Sequence, residues 1–217
     1  VSTSLPYRPA PVVLAAPSGT GKTTIARALV DGRASYVFSV SVTTRHPREG
    51  ERDGVDYGFV SRDEFRAMVE REELVEWAEV HGHLYGTPRR NLEAAQERGE
   101  HVVLDIDVQG ARQIRERVPE AVLVFVFPPS ADALWVRLTA RGSEDPDEVR
   151  RRLRTAGEEL AEAERFQYVV VNDDLERAVA AVRSILEAES HRPGRARDLE
   201  DEVRTLQQGI NELIIQK

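Results

Sequence analysis

The chain has 217 residues, with 30 basic and 38 acidic side chains, five histidines and no cysteine. That length suits one domain, or one domain carrying insertions, with a real hydrophobic core. The missing cysteines exclude disulfide scaffolds, thiolate metal centres and cysteine nucleophiles, five scattered histidines argue against a histidine-based metal site, and a net charge of −8 argues against generic nucleic-acid binding.

Residues 1–11 hold three prolines and read as an irregular lead-in. They lack the basic-then-apolar pattern of a signal peptide. Val12 to Ala16 is a short apolar run that predicts a buried strand, and Pro17 to Gly21 predicts a turn. Lys22 to Val30 predicts a helix with Ile25, Ala28 and Leu29 on one face. Three further apolar runs follow: Val102–Ile106, Leu123–Phe127 and Tyr168–Val171. They are rich in β-branched and aromatic residues and nearly continuous, as in strands covered on both faces. Helical stretches between them imply βαβ units and a parallel sheet.

Two segments break this rhythm. Residues 43–87 predict short strands around one helix near Arg62–Arg71, and residues 137–165 form a charged helical stretch with Pro146 near a helix start and Ser143 or Asp145 as its cap. Leu175 to Ala188 predicts a last amphipathic helix, broken at His191 to Gly194. Beyond it, Leu199, Val203, Leu206, Ile210 and Leu213 recur at spacings of four and three. With β-branched residues at a and leucine at d, this short seam has the pattern of a parallel two-stranded coiled coil. It allows a homodimer through the tail, or packing on the chain's own domain. No apolar run approaches the ~20 residues that span a bilayer, so the expectation is a soluble cytoplasmic protein with no membrane or nucleic-acid partner.

Arginine supplies every basic residue except Lys22 and Lys217. A GC-rich genome accounts for most of that bias, but not for the position of the internal lysine. Ala16 to Thr23 matches the P-loop pattern G-x-x-x-x-G-K-[ST] apart from Ala16 in place of the first glycine. Glycines let backbone N–H groups curl around phosphate oxygens, and a helix N-terminus adds roughly half a positive charge. A compact ammonium fits such a cradle where a broad guanidinium does not. Pro17, Ser18, Gly19, Thr20, Gly21, Lys22, Thr23 and Thr24 are therefore candidates for binding ATP, with the Thr23 hydroxyl on Mg²⁺. Ala16 is tolerable there if its φ is negative. Asp105 ends an apolar strand and is the candidate for the Mg²⁺ side, acting through water.

The stretch from Thr43 through Arg45, Arg48, Glu51, Gly54 and Tyr57 to Phe59 and Val60 resembles the guanylate kinase signature. The resemblance continues in Glu76-Trp-Ala-Glu-Val-His-Gly82, Tyr85-Gly-Thr87, Leu104-Asp-Ile-Asp107-Val-Gln-Gly110 and Val171-Asn172-Asp-Asp-Leu175, and covers roughly residues 11–190 in family order. It implies a P-loop three-layer α/β fold with a parallel core sheet, made from residues 1–42, 93–136 and 166–191. It further implies an inserted GMP-binding subdomain over 43–92 and a helical lid over 137–165, leaving 192–217 as a C-terminal helical extension. The implied activity is transfer of the γ-phosphoryl of ATP to GMP. The resemblance implies that Ser41, Arg45, Arg48 and Tyr57 hold the GMP phosphate and that Glu76, Thr87 and Asp107 read the guanine side. Tyr85 would close over the phosphate or base, and Asn172 would contact adenine. Arg137, Arg141 and Arg152 would close over ATP and the GMP phosphate; with Lys22 and Arg45 they form the candidate catalytic set.

Overall fold

The computed structural model describes residues 6–80, 82–139 and 146–216. Among the described residues, nine strands and eight helices follow in chain order. The first are β1 (Val12–Ala15), α1 (Lys22–Val30), β2 (Tyr36–Phe38), β3 (Val42–Thr43), β4 (Gly58–Phe59), α2 (Arg62–Glu70), β5 (Leu74–Val80), β6 (His83–Pro88) and α3 (Arg89–Arg98). Then come β7 (His101–Asp105), α4 (Val108–Arg117), β8 (Val122–Phe127), α5 (Ala131–Thr139), α6 (Pro146–Leu160), β9 (Tyr168–Val171), α7 (Leu175–Ser190) and α8 (Leu199–Gln216). A 3-10 turn precedes β9 and another lies between α7 and α8.

Five strands form a parallel sheet in the order β2-β7-β1-β8-β9. The four apolar runs of the sequence are its four contiguous strands. The fifth, β2, was not anticipated, because it is three residues long and only half-buried, and so offers no apolar run. One face of the sheet packs on Ile25, Ala26 and Leu29 of α1 and on Val179, Val182 and Leu186 of α7. The other packs on Ala95 of α3 and on Ala111 and Ile114 of α4. The central strands β1, β7 and β8 are thus buried on both sides, which is why their sequences are continuous rather than alternating. The edge strand β9 leaves Val169 and Val171 exposed.

The second sheet, β4-β3-β6-β5, spans Val42 to Pro88. Its own small core joins Val42, Leu74 and Leu84 to Phe65 and Met68 of α2. Ser61 starts α2 by accepting the Glu64 N–H at 3.1 Å. The edge strand β5 is fastened along α4: Gln113 donates to the Trp77 carbonyl at 2.7 Å and Arg117 to that of Val75 at 2.7 Å. This seam fixes the second sheet against the carboxyl ends of the core strands.

Helix α6 begins at Pro146, as expected, and Arg152 lies well inside it; the proposed caps Ser143 and Asp145 lie outside the described residues. After α7, the buried Glu189 accepts from the Tyr168 hydroxyl and from Arg195 at 3.1 Å, pinning the start of the extension to the core. The apolar seam of α8 is not folded back onto the domain: Val203, Leu206, Ile210 and Leu213 are all exposed. Among the described residues, no helix is long and apolar enough to cross a membrane.

Candidate active site

The loop between β1 and α1 is shaped by glycine. Gly21 stands in the left-handed region at φ 88°, and a Cβ there would lie 2.7 Å from Asn172 Nδ2. That close approach is used: the buried Asn172 amide donates to the Thr20 carbonyl at 2.7 Å. Arg137 of α5 donates to Thr20 O at 2.9 Å and to Asn172 O at 3.1 Å. The cradle is therefore braced from behind by a helix and by the end of β9. Thr20 is fully buried, and its carbonyl is taken by Asn172 and Arg137. Among the described residues, Ala16 is not one of the non-glycines with positive φ, so alanine fits the position.

Asp105 ends β7 beside β1, in register with Leu14. There its carboxylate meets both the Lys22 ammonium and the Thr23 hydroxyl, and Lys22 Nζ also donates to Ile106 O at 2.8 Å. A hydroxyl and a carboxylate brought together at a helix N-terminus form the hard oxygen donor set that suits Mg²⁺. These residues fit a cation arriving with a nucleotide. Thr24 is exposed on the first turn of α1.

On the second sheet, Arg45 is held by Glu51, by Tyr85 and by the His46 carbonyl, to which Nη1 donates at 2.7 Å. Its two terminal nitrogens bond the two Glu51 carboxylate oxygens at 2.9 and 2.8 Å, and Nε donates to the Tyr85 hydroxyl at 3.2 Å. Its guanidinium also lies 5.4 Å from the Tyr57 ring centroid. The Arg45 hydrogen bonds hold the Glu51 carboxyl below its ordinary range, and the Arg48 backbone N–H adds to the effect. Tyr57 is pushed up to about 12, first by burial and then by Asp105, so its hydroxyl stays a donor. Ser41 is buried and Arg48 is exposed.

Glu76 of β5 is 3% exposed. Its carboxylate accepts from the fully buried Thr87 hydroxyl at 2.6 Å. Burial drives its pKa up to about 7, with Asp107 adding and Thr87 and Lys22 opposing. Asp107 caps α4 by accepting the Gly110 N–H at 2.8 Å. Gly110 exists for space, since a Cβ there would lie 2.4 Å from Glu76 Oε2. Arg152 of α6 reaches the cradle and donates to Ser18 Oγ at 2.7 Å. Arg141 lies outside the described residues.

The fold thus brings the cradle, Asp105, Asp107, Arg45, Tyr57, Glu76, Tyr85, Thr87, Arg137, Arg152 and Asn172 around one cleft. Sequence reasoning gave no role to Glu51 or Gly110. Both lie inside quoted motifs, and the Arg45–Glu51 pairing could have been suggested by opposite charges in one signature. Nothing in the linear sequence places Gly110 against Glu76.

A parallel sheet with a glycine-turned phosphate cradle, an acidic strand end and an arginine from α6 on that cradle defines a P-loop phosphotransferase. A family model described as guanylate kinase matches residues 8–189. A guanylate kinase of Symbiobacterium thermophilum is 51% identical over 181 residues, covering 83% of this chain and 86% of its own. One from Thermus thermophilus is 51% identical over 183 residues, covering 84% of this chain and 83% of its own. The crystal structure of guanylate kinase from Anaplasma phagocytophilum aligns with a TM-score of 0.78 at 35% identity, over 93% of this chain and 96% of that one. The chain belongs to the guanylate kinase family and is a nucleoside monophosphate kinase.

Proposed function

We propose that the chain transfers the γ-phosphoryl of ATP to GMP or dGMP, recycling GMP and supplying GTP and dGTP in the cytoplasm. The observation that carries the guanine assignment is the buried carboxylate of Glu76, backed by Thr87 and facing the cleft beside Asp107. Guanine presents two donors, N1–H and N2–H, on one edge, and one carboxylate accepts both. Adenine has no such pair, so it would leave a buried acceptor unmatched, and a site built for polar pairing rejects such an analogue strongly.

Phosphate binding follows from the part of the second sheet just beyond the end of β3. Arg45, already aimed by Glu51 and Tyr85, would grip the GMP phosphate together with Arg48, Tyr57 and Ser41. The cradle amides and Lys22 would hold the ATP phosphates. Arg137, Arg141 and Arg152 would offset the repulsion between the two polyanions and the charge that spreads over the transferring group. Thr23 and Asp105, the latter through water, would hold Mg²⁺, which supplies charge neutralisation across the phosphate oxygens when bound. An oxygen of the GMP phosphate forms the new bond to phosphorus as the bond to the β–γ bridging oxygen breaks. That phosphate has a second pKa of about 6, so the nucleophile is already ionised near neutrality and needs no general base. Contact between α6 and Ser18 keeps water from the cradle, which limits ATP hydrolysis.

A nucleotide panel tests the assignment. With ATP as donor, kcat/KM for GMP should exceed that for AMP by on the order of ten-thousandfold. Preferred turnover of AMP, UMP or dTMP would overturn it. A finer test uses Gly110. Alanine favours a helix interior over glycine by about 1 kcal/mol, yet its methyl group at this position displaces the Glu76 carboxylate. Gly110→Ala should therefore fold normally and raise the KM for GMP by about tenfold, while the KM for ATP holds in steady-state assays with each substrate varied in turn.

A further inference from the structure

The chain passes from the core into the second sheet between β2 and β3, and returns where β6 ends at Pro88 and α3 begins at Arg89. One residue marks the outgoing crossing. The Ser39 N–H still donates to the Val103 carbonyl of β7 at 2.9 Å, whereas the Ser41 carbonyl already accepts the Gly58 N–H of β4 at 2.9 Å. Val40 stands between the two sheets. Its carbonyl accepts from Asn91 Nδ2 at 3.0 Å, and the same nitrogen donates to Ser39 Oγ at 3.0 Å. Asn91 lies on the first turn of α3, a helix anchored in the core by the fully buried Ala95. One carboxamide thus ties the outgoing crossing to the returning one. Ser39 and Ser41 are buried there, and Val40 and Asn91 are half-buried.

The seam along α4 holds the second sheet by its edge strand β5. Asn91 holds it by the strand that leads to Arg45, and Val40 is the immediate neighbour of Ser41. We propose that Asn91 is a positioning residue for phosphoryl transfer: it fixes the Val40 carbonyl, and with it the start of β3, so that the GMP phosphate stands in line with the cradle. The proposal rests on the GMP phosphate lying against Ser41 and Arg45. A hinge residue is where a small change of backbone angle becomes a displacement of everything beyond it. A reacting group misplaced by about 1 Å can cost about a hundredfold in rate. The choice of an amide follows from its partner. A carbonyl oxygen only accepts, so the group that faces it must donate, which an ionised aspartate of the same shape cannot do.

The test compares the full chain with its Asn91→Ala and Asn91→Asp variants. Both should lower kcat for GMP phosphorylation by on the order of tenfold, with aspartate at least as damaging as alanine. The KM for ATP and the GMP affinity measured by calorimetry should stay within about twofold of wild type. A residue that merely filled space would tolerate aspartate. The chain has no cysteine, so Arg66→Cys on α2 and Glu176→Cys on α7, both exposed, place one spin label on each side of the hinge. Without nucleotide, the distance distribution between the labels should be narrower with Asn91 than in either variant. If the wild-type chain does not phosphorylate GMP, the underlying reading fails whatever the hinge does. If it does, the reading stands, and three results would overturn the proposal alone: wild-type kcat in Asn91→Asp, a loss carried by GMP affinity instead of kcat, or a label distribution that neither variant changes.

Discussion

Lys22→Ala should lower kcat for GMP phosphorylation by about a thousandfold, or roughly 4 kcal/mol of transition-state stabilisation, while leaving GMP affinity intact. Lys22 projects from the first turn of α1 into the part of the cleft where the strand end, the helix N-terminus and the Asp105 carboxylate converge. GMP meets different residues, on the second sheet. The variant also leaves Asp105 without its ammonium partner, so thermal unfolding should be measured alongside activity to separate the two effects. Lys22→Arg is the sharper control. It keeps the charge and should still lose most activity, because a planar guanidinium is too broad for a place in which Nζ sits 2.8 Å from Ile106 O. Retained activity in either variant would refute the role.

Glu76→Gln should give an enzyme that is more stable and nearly unable to use GMP. The stability part follows from linkage. The carboxyl titrates near 7 in the folded chain against an ordinary value of 4.5. Its raised pKa means the folded state binds the proton more tightly than the unfolded one. That contribution is full below pH 4.5 and is lost as pH rises through about 7. At about pH 8 the ionised, desolvated Glu76 therefore costs up to about 3 kcal/mol, which an uncharged glutamine avoids. The melting temperature at about pH 8 should rise by a few degrees, with the gap to wild type closing toward about pH 4.

The activity part has the opposite sign. Glutamine presents an N–H₂ where guanine presents donors, so the KM for GMP should rise by about a hundredfold or more while the KM for ATP stays put. Wild-type GMP binding should also weaken as pH falls below about 7, because a protonated Glu76 no longer accepts two N–H groups. Guanosine, which has no phosphate to titrate, is the ligand with which to measure this. Equal losses for GMP and ATP would make Glu76 a support of the fold instead.

These two residues also show how much was legible beforehand. The P-loop was readable because its chemistry is local: a few consecutive residues form the turn and the helix start, so order along the chain and position in space coincide. Strands β1, β7 and β8 were readable because burial on both faces writes an unbroken apolar run, and β9 because its valines favour a strand even where two of them face outward. The family signature located Arg45, Glu76 and Thr87 by their neighbours in sequence. Strand β2 escaped notice because three half-buried residues at a sheet edge carry no such run. The heptad seam of α8 was visible as a pattern, but the pattern did not say whether the domain would cover it.

What the sequence by itself determined was the cradle, the sheet class and the family, each of which depends on short-range order. The tertiary structure alone decided which charges face one another. It set Asp105 on Lys22 and Thr23, closed Glu51 on Arg45, left room at Gly110 for the Glu76 carboxylate, and laid Arg152 on the hydroxyl of Ser18. Those relations join residues that, apart from Arg45 and Glu51, lie tens to more than a hundred positions apart. Pairing across such separations follows from how helices and sheets pack, and a carboxylate's protonation depends on the burial that packing imposes.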